Sequence, residues 1–350
     1  MGENKQQLLN RPRPSETHSF RPPFSVKNST AAVARFPFPL ASVSSSKKPS
    51  PFRYSVNVAP HSPSGIAGSV DEYFFDIDEF YYSELAERQL TLAQYPQHHW
   101  LTNSMKPAAW ELLANSLKRL ARDYPHYFTL TINGNHWHWH NQLTGDTRVF
   151  NLDKNTGLDD SPLMFLGSQL PGDWALLQQQ DDQLYLQAGL ITGPAGWSLQ
   201  AVRGMDYYQW HAPVPDDYQV FKRSLNYLLR LPADQPVRRT NWGLCVDPRL
   251  HMSLDNQQQW RNAWQNLSPQ DFGQRVNLRV EWQVLERLPK SKAIAFYIKT
   301  YFLTLADMQS QPDWLSALRH ALETMPEAIA RYKNLHLARP QLLDFLNRTS

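Results

Sequence analysis

Three histidines and two tryptophans fill five consecutive positions, HWHWH at residues 136 to 140. Imidazoles two residues apart on a strand can share a metal ion, so metal chemistry is the first possibility. The strong zinc signatures need further ligands at set spacings, and the sequence supplies no HExxH, no cysteine pair and no clustered carboxylate beside the run. Strict alternation is also the mark of a half-buried strand. It predicts Trp137 and Trp139 on the buried face, with His136, His138 and His140 on the other. LTGD (143–146) then predicts a turn and TRVF (147–150) a returning arm. The structural reading is preferred, and the chemistry has to be sought elsewhere.

A second alternating stretch carries more chemistry. RVNLRVEWQVLERL (275–288) places Arg279, Glu281 and Gln283 on one face of a strand, and Leu278, Val280, Trp282 and Val284 on the other. KAIAFYIKTYFLTL (292–305) alternates Tyr297, Lys299 and Tyr301 with Ile294, Phe296 and Ile298, and PKSK between the two strands suits an antiparallel hairpin. One sheet face is therefore expected to gather Arg, Glu, Gln, Lys and two Tyr. Such a face is either solvated or a hydrogen-bonded floor beneath a ligand, where Arg and Lys hold carboxylates or Glu holds a cation. Two further pieces qualify by residue type. His211 stands between Trp210 and the stiffening pair Pro213 and Pro215, and RRTNWG (238–243) brings Arg239, Asn241 and Trp242 beside a sheet end.

These residues need elements to position them. PAAWELLANSLKRLARDYP (107–125) has helical spacing between two prolines, and DDYQVFKRSLNYLLRL (216–231) has an Asp cap and an apolar face. A turn followed by a helix is expected over 71–95, and three helices near 312–324, 326–334 and 339–347. Helices around an antiparallel sheet define an α+β protein. Order is expected from PFRYSVNV (51–58) onward, as one domain over 51–350. Residues 1–50, rich in Ser, Pro and Arg, read as a disordered basic tail.

Composition narrows the function. The tail carries eight Lys or Arg against two Glu, leaving 27 against 30 in the other 300 residues, so the body has no nucleic-acid-binding charge. The single Cys245 excludes an intrachain disulfide and a cysteine-ligated iron–sulfur cluster, and the absence of CxxCH excludes covalent haem attachment. GxGxxG, Walker A, GxSxG and the kinase set are absent too. No apolar stretch is long enough to span a bilayer, so the expected location is cytoplasmic, with organellar targeting by the tail as the other option.

In chain order the sequence shows GDWALLQ (172–178), PAGWSLQAVRG (194–204), HAPVP (211–215), RTNW (239–242), LRVEWQVLERLPKSKAIAFYIKTY (278–301) and RYKNL (331–335). This combination resembles the haem-dependent oxidative N-demethylase family over about residues 50–335. The resemblance implies a b-type haem in a PAS-like domain and oxygen-dependent removal of an N-methyl group from a small amine, releasing formaldehyde. The resemblance marks the position of His211 but not its role; His211 is our candidate for the axial ligand to the haem iron, and Arg239 and Arg279 are candidates for pairing with the haem propionates, beside Asn241. Glu281 would hold a cationic amine or relay protons, with Trp242 and Tyr297 as walls. With no nicotinamide, flavin or iron–sulfur motif in the chain, electrons would come from separate reductase or ferredoxin proteins. The sequence departs from the family's usual residues at Gly172, Val202 and Trp282, where an acid, a lysine and an arginine are common. A PAS-like haem or small-molecule sensor without turnover is the alternative.

Overall fold

The computed structural model describes residues 33–40, 50–67, 69–215 and 218–349. Among the described residues, ten strands form two antiparallel sheets. β1 (Ala59–Pro60), β2 (His99–Leu101), β6 (Asp173–Gln180), β7 (Gln183–Leu190), β8 (Val237–Val246), β9 (Val276–Arg287) and β10 (Ile294–Thr304) make the larger, in the order β1-β8-β9-β10-β6-β7-β2. β3 (Phe128–Asn133), β4 (His136–Asn141) and β5 (Asp146–Asn151) make the smaller. The expected α+β class is the observed one.

The smaller sheet is built on the HWHWH run. Trp139 is fully buried and stacks on Phe128 with ring centroids 5.5 Å apart, while its indole N–H donates to Gln169. Trp137 is buried as well, and His136 and His138 on the opposite face are exposed. The alternation thus sorts aromatic from imidazole as the sequence predicts.

Helix Lys106–Asp123 lays Leu112, Leu113, Leu117 and Leu120 into one apolar cluster with Trp139, Trp174 and Tyr297. A second cluster joins Leu244, Leu278 and Val280 of the large sheet to the C-terminal helices Pro312–Thr324 and Arg339–Thr349, through Leu318, Leu322 and Leu342. The third cluster sets helix Tyr218–Leu229 against Leu177, Leu186 and Leu285 by way of Phe221 and Leu225. These helices match the sequence expectation to within a few residues.

Order begins before residue 51. Val33 and Phe36 are buried in the second cluster, Phe38 stacks on Trp314 at 4.5 Å, and Arg35 pairs with Asp76 at 2.5 Å. The composition of residues 1–50 as a whole hides this short ARFPFPL patch, whose two phenylalanines have apolar surface to bury. The remaining tail residues, 1–32 and 41–49, lie outside the described residues. Among the described residues no helix is long and apolar enough to cross a membrane.

The register of the β9–β10 hairpin decides what shares a face. Pro289–Lys292 form a four-residue loop, closed by the Leu288 N–H on the Ala293 carbonyl and ending in the left-handed Lys292 (φ 61°). An even-numbered loop pairs odd with even positions. Glu281 therefore lies opposite Thr300, and Trp282 opposite Lys299. On the other side Glu281 faces Asn241 of β8, and Gln283 faces Arg239. Residues opposite one another in an antiparallel pair share a face. Tyr297, Lys299 and Tyr301 thus lie on the face away from Arg279, Glu281 and Gln283, which corrects the single polar face expected from the sequence.

Candidate functional site

Five polar side chains from β8 and β9 meet on one face. Glu281 Oε2 accepts from Asn241 Nδ2 at 3.2 Å and from Gln283 Nε2 at 2.9 Å, and Oε1 lies 3.5 Å from Arg279 Nη2. Gln283 Oε1 accepts from Arg239 Nη1 at 2.8 Å, and Arg239 Nε donates to the Val56 carbonyl at 3.0 Å. Arg279 Nη2 donates to the Gly193 carbonyl at 2.6 Å and to Thr300, while its Nε is buried without a partner. Arg239, Asn241, Arg279 and Glu281 are brought together as the sequence reading requires. Their balance is two cations to one carboxylate, and that carboxylate is already well committed.

The opposite face is sealed. Lys299, fully buried, lies 3.1 Å from Asp78 Oδ2 and in contact with Glu84, while Tyr301 OH donates to Asp76 Oδ2 at 2.8 Å. Burial, reinforced by Asp78, pushes the Asp76 carboxyl up to about 6. Burial likewise raises Glu84 to about 7 against the pull of Lys299. Tyr297 is buried among Phe75 and Trp174, and its hydroxyl donates to the Pro171 carbonyl at 2.9 Å. Trp242 belongs to the second apolar cluster, edge-on to Phe52. Neither Tyr297 nor Trp242 walls the Glu281 face, because strand alternation turns both to the other side. Gly172 is explained here too. It adopts φ +90°, and a Cβ would fall 2.5 Å from the Tyr297 ring, so no larger residue fits without displacing that ring.

His211 ends the short helix Tyr207–His211. Its Nδ1 lies 2.7 Å from the Tyr207 carbonyl, which only accepts, so Nδ1 carries the proton and Nε2 the lone pair. Burial pushes this imidazole down to about 3 and keeps it neutral. The ring packs against Phe221 and Tyr207, each at 4.4 Å between centroids. Nε2 accepts the Trp210 indole N–H at 2.9 Å.

Haem asks a chain for cations beside its propionates and a neutral axial donor. On donor chemistry these residues fit. Arg239 leaves its Nη2 without a partner among the described residues, and Arg279 buries an unpartnered Nε. His211 is in the tautomer an axial imidazole requires, tied through Nδ1 to a backbone carbonyl. Trp210 must turn aside before Nε2 is available. A cavity of about 610 Å³ opens where the sheet meets residues 57–71, lined by Arg35, Asn57, Asp71, Arg238, Arg239 and Trp282 among others, with no histidine, cysteine or tyrosine in its lining. Trp282, one of the three departures, is thus a cavity wall, with the Arg238 guanidinium 4.9 Å from its ring centroid.

Sequence reading missed Lys333. It follows the helix Glu327–Tyr332, its Nζ donates to the Trp242 carbonyl at 2.6 Å, and it lies 5.1 Å from the centre of the Trp242 ring. Burial, with Arg239 adding to it, pushes Lys333 down to about 8 while Glu281 pulls the other way. RYKNL contains this lysine, but nothing in that segment announces that it folds back onto β8 some ninety residues earlier.

Fold and site together describe an α+β protein whose antiparallel sheet carries a cation-rich floor suited to a carboxylate-bearing cofactor. Residues 65–343 match the family described as haem-dependent oxidative N-demethylase, alpha subunit-like, and the chain belongs to that family.

Proposed function

We propose that this protein is a haem-dependent oxidoreductase that removes an N-methyl group from a small amine as formaldehyde. In balance, one atom of dioxygen enters the methyl group and the other leaves as water, with two electrons and two protons supplied. Carbon–nitrogen cleavage of the oxidised group then releases formaldehyde and the demethylated amine. The haem is of the b type, since the sequence has no CxxCH for covalent attachment, and the electrons come from separate reductase or ferredoxin proteins. Bound haem would supply the oxygen activation.

The chain's own contribution is binding and orientation. Arg239 and Arg279 hold propionates, His211 supplies the axial imidazole, and Glu281, through Asn241 and Gln283, fixes the floor and offers Oε1 as a proton acceptor. The carrying observation, beyond family membership, is the floor's excess of cations with an uncommitted Arg239 Nη2. Titration of the purified protein with ferric haem tests the reading. A Soret band that shifts on adding dimethylamine is expected. His211→Ala should lose haem or change its spin state, and Trp210→Phe should bind haem more tightly by freeing Nε2. An unchanged spectrum in His211→Ala removes His211 from the iron.

A further inference from the structure

Two neighbouring histidines are held in different states by their partners. His98 closes the short turn Pro96–His98, and its ring is buried. Nδ1 lies 2.6 Å from the Ile191 carbonyl, and Nε2 lies 3.0 Å from Asp255 Oδ2. A carbonyl oxygen only accepts, and so does an ionised carboxylate. Burial works to raise the Asp255 carboxyl, but its bonds to His98, Gln97 and Ser253 hold it below the ordinary carboxylate range, so it is ionised. Both ring nitrogens of His98 therefore donate, and an imidazole that donates twice carries a charge. His251 packs edge-on to it, with ring centroids 4.9 Å apart. Its Nδ1 accepts from Asn256 Nδ2 at 3.3 Å and its Nε2 meets Ser253 Oγ at 2.8 Å, so a single proton satisfies this ring. Burial, with His98 adding to it, pushes His251 down to about 4.

His98 joins two stretches that meet at the polar floor. Ile191 begins the stretch 191–196 that follows β7, and Asp255 belongs to the stretch 250–256 that follows β8. The two also bond directly, the Met252 N–H to the Pro194 carbonyl at 3.0 Å and the Gly196 N–H to the Met252 carbonyl at 2.7 Å. Each supplies one carbonyl to the Arg279 guanidinium, Gly193 at 2.6 Å and Leu250 at 3.4 Å. Two cations, His98 and Arg279, thus clasp the same pair of stretches. A guanidinium keeps its charge throughout, whereas an imidazolium is the side chain whose charge is lost across the physiological range.

We infer that the second proton of His98 is a latch: while present it ties 191–196 to 250–256, and its loss as pH rises loosens that joint and with it the Leu250 hold on Arg279. The latch works with or without haem. A neutral ring keeps one donor, so a lone pair is left facing either the Asp255 carboxylate or the Ile191 carbonyl. One attractive contact becomes repulsive in either case. The Asp255 end yields, because that side chain is 21% exposed while the Ile191 N–H is itself tied to the His98 carbonyl at 2.9 Å. The titratable groups packed on the ring are Asp255 and His251 of the second stretch and Tyr95 of its own segment. The stretch 191–196 (ITGPAG) supplies none.

Nitrogen-15 spectra of the histidine-labelled full chain test the charge. The His98 signals are assigned with His98→Gln or, should that chain not fold, as the signals that Asp255→Asn moves. In mildly acidic buffer both His98 ring nitrogens should carry protons, and one should become bare as the pH is raised. A bare nitrogen at mildly acidic pH overturns the inference. Hydrogen exchange then reads the latch. After correction for the intrinsic rate, the Met252 and Gly196 amides should exchange about tenfold faster or more once the proton is lost, the worth of one charge-assisted hydrogen bond. Asp255→Asn should abolish that response without loosening the joint, because a side-chain amide turns its oxygen to a charged ring and its nitrogen to a neutral one. A merely structural contact would leave parent and Asp255→Asn with the same pH profile, and that result, or a parent without a response, overturns the latch.

Discussion

The two faces of the β8–β9–β10 sheet have nearly the same polar content and opposite states. Around Lys299 the carboxylates Asp76, Asp78 and Glu84 outnumber the cations Lys299 and Arg35, and the cluster is closed by its own side chains. Around Glu281 the cations Arg239 and Arg279 outnumber the carboxylate, with Lys333 in reach, and donor positions stay open. On the Lys299 face the surplus carboxylate can be discharged by a proton, since burial raises Asp76 to about 6 and Glu84 to about 7, whereas the surplus on the Glu281 face is arginine charge that stays. An uncompensated excess of one sign makes a place for a ligand of the other.

The largest effect expected from this contrast is Lys299→Met. Removing the cation leaves Asp78 and Glu84 buried without it, which should cost about 3–5 kcal/mol in urea unfolding. Arg279→Gln, on the open face, should cost less stability and weaken haem binding with a similar spectrum. If Lys299→Met proved neutral in stability, the distinction between a closed and an open face would fail.

The smaller sheet repeats the contrast without charges. Trp139→Ala removes a fully buried ring and should cost about 3–5 kcal/mol. Joint replacement of His136, His138 and His140 by Gln should change stability by only about 0.5 kcal/mol. A stoichiometric metal lost from the triple variant would reverse the structural reading of HWHWH.

A further effect is a slope with pH. Asp76 is raised from 3.8 to about 6 and Glu84 from 4.5 to about 7. The folded chain therefore binds protons at these sites more tightly than the unfolded chain. Their contribution is fully present below pH 4 and is lost as pH rises toward 7, because the unfolded state gives up its protons first. Asp76→Asn should flatten the decline of the unfolding midpoint between pH 4 and 6. A midpoint equally steep in parent and variant would take Asp76 out of the closed cluster's titration.

Much of this protein was legible in its residues. Periods of two and of 3.6 gave the HWHWH strand, the β9–β10 hairpin and the helices Lys106–Asp123 and Pro312–Thr324, because burial on one side imposes that spacing on any chain. The juxtaposition of Arg239 and Asn241 with Arg279 and Glu281 was only partly legible. Each strand announced its own polar residues, but the partner strand and its register belong to the pairing.

What the sequence determined by itself is local: which residues alternate, where helices begin and end, and which polar types stand together along one strand. Tertiary structure alone decided that Tyr297, Lys299 and Tyr301 turn away from Glu281, since the parity of a four-residue loop sets the register of the whole hairpin. It also decided that Phe36 and Phe38 join the core, that Trp210 occupies the lone pair of His211, and that Lys333 returns to β8. Each of these is a contact between distant segments or a side-chain orientation. Neither is fixed by residue type, because the free energy that selects it appears only when the partners meet.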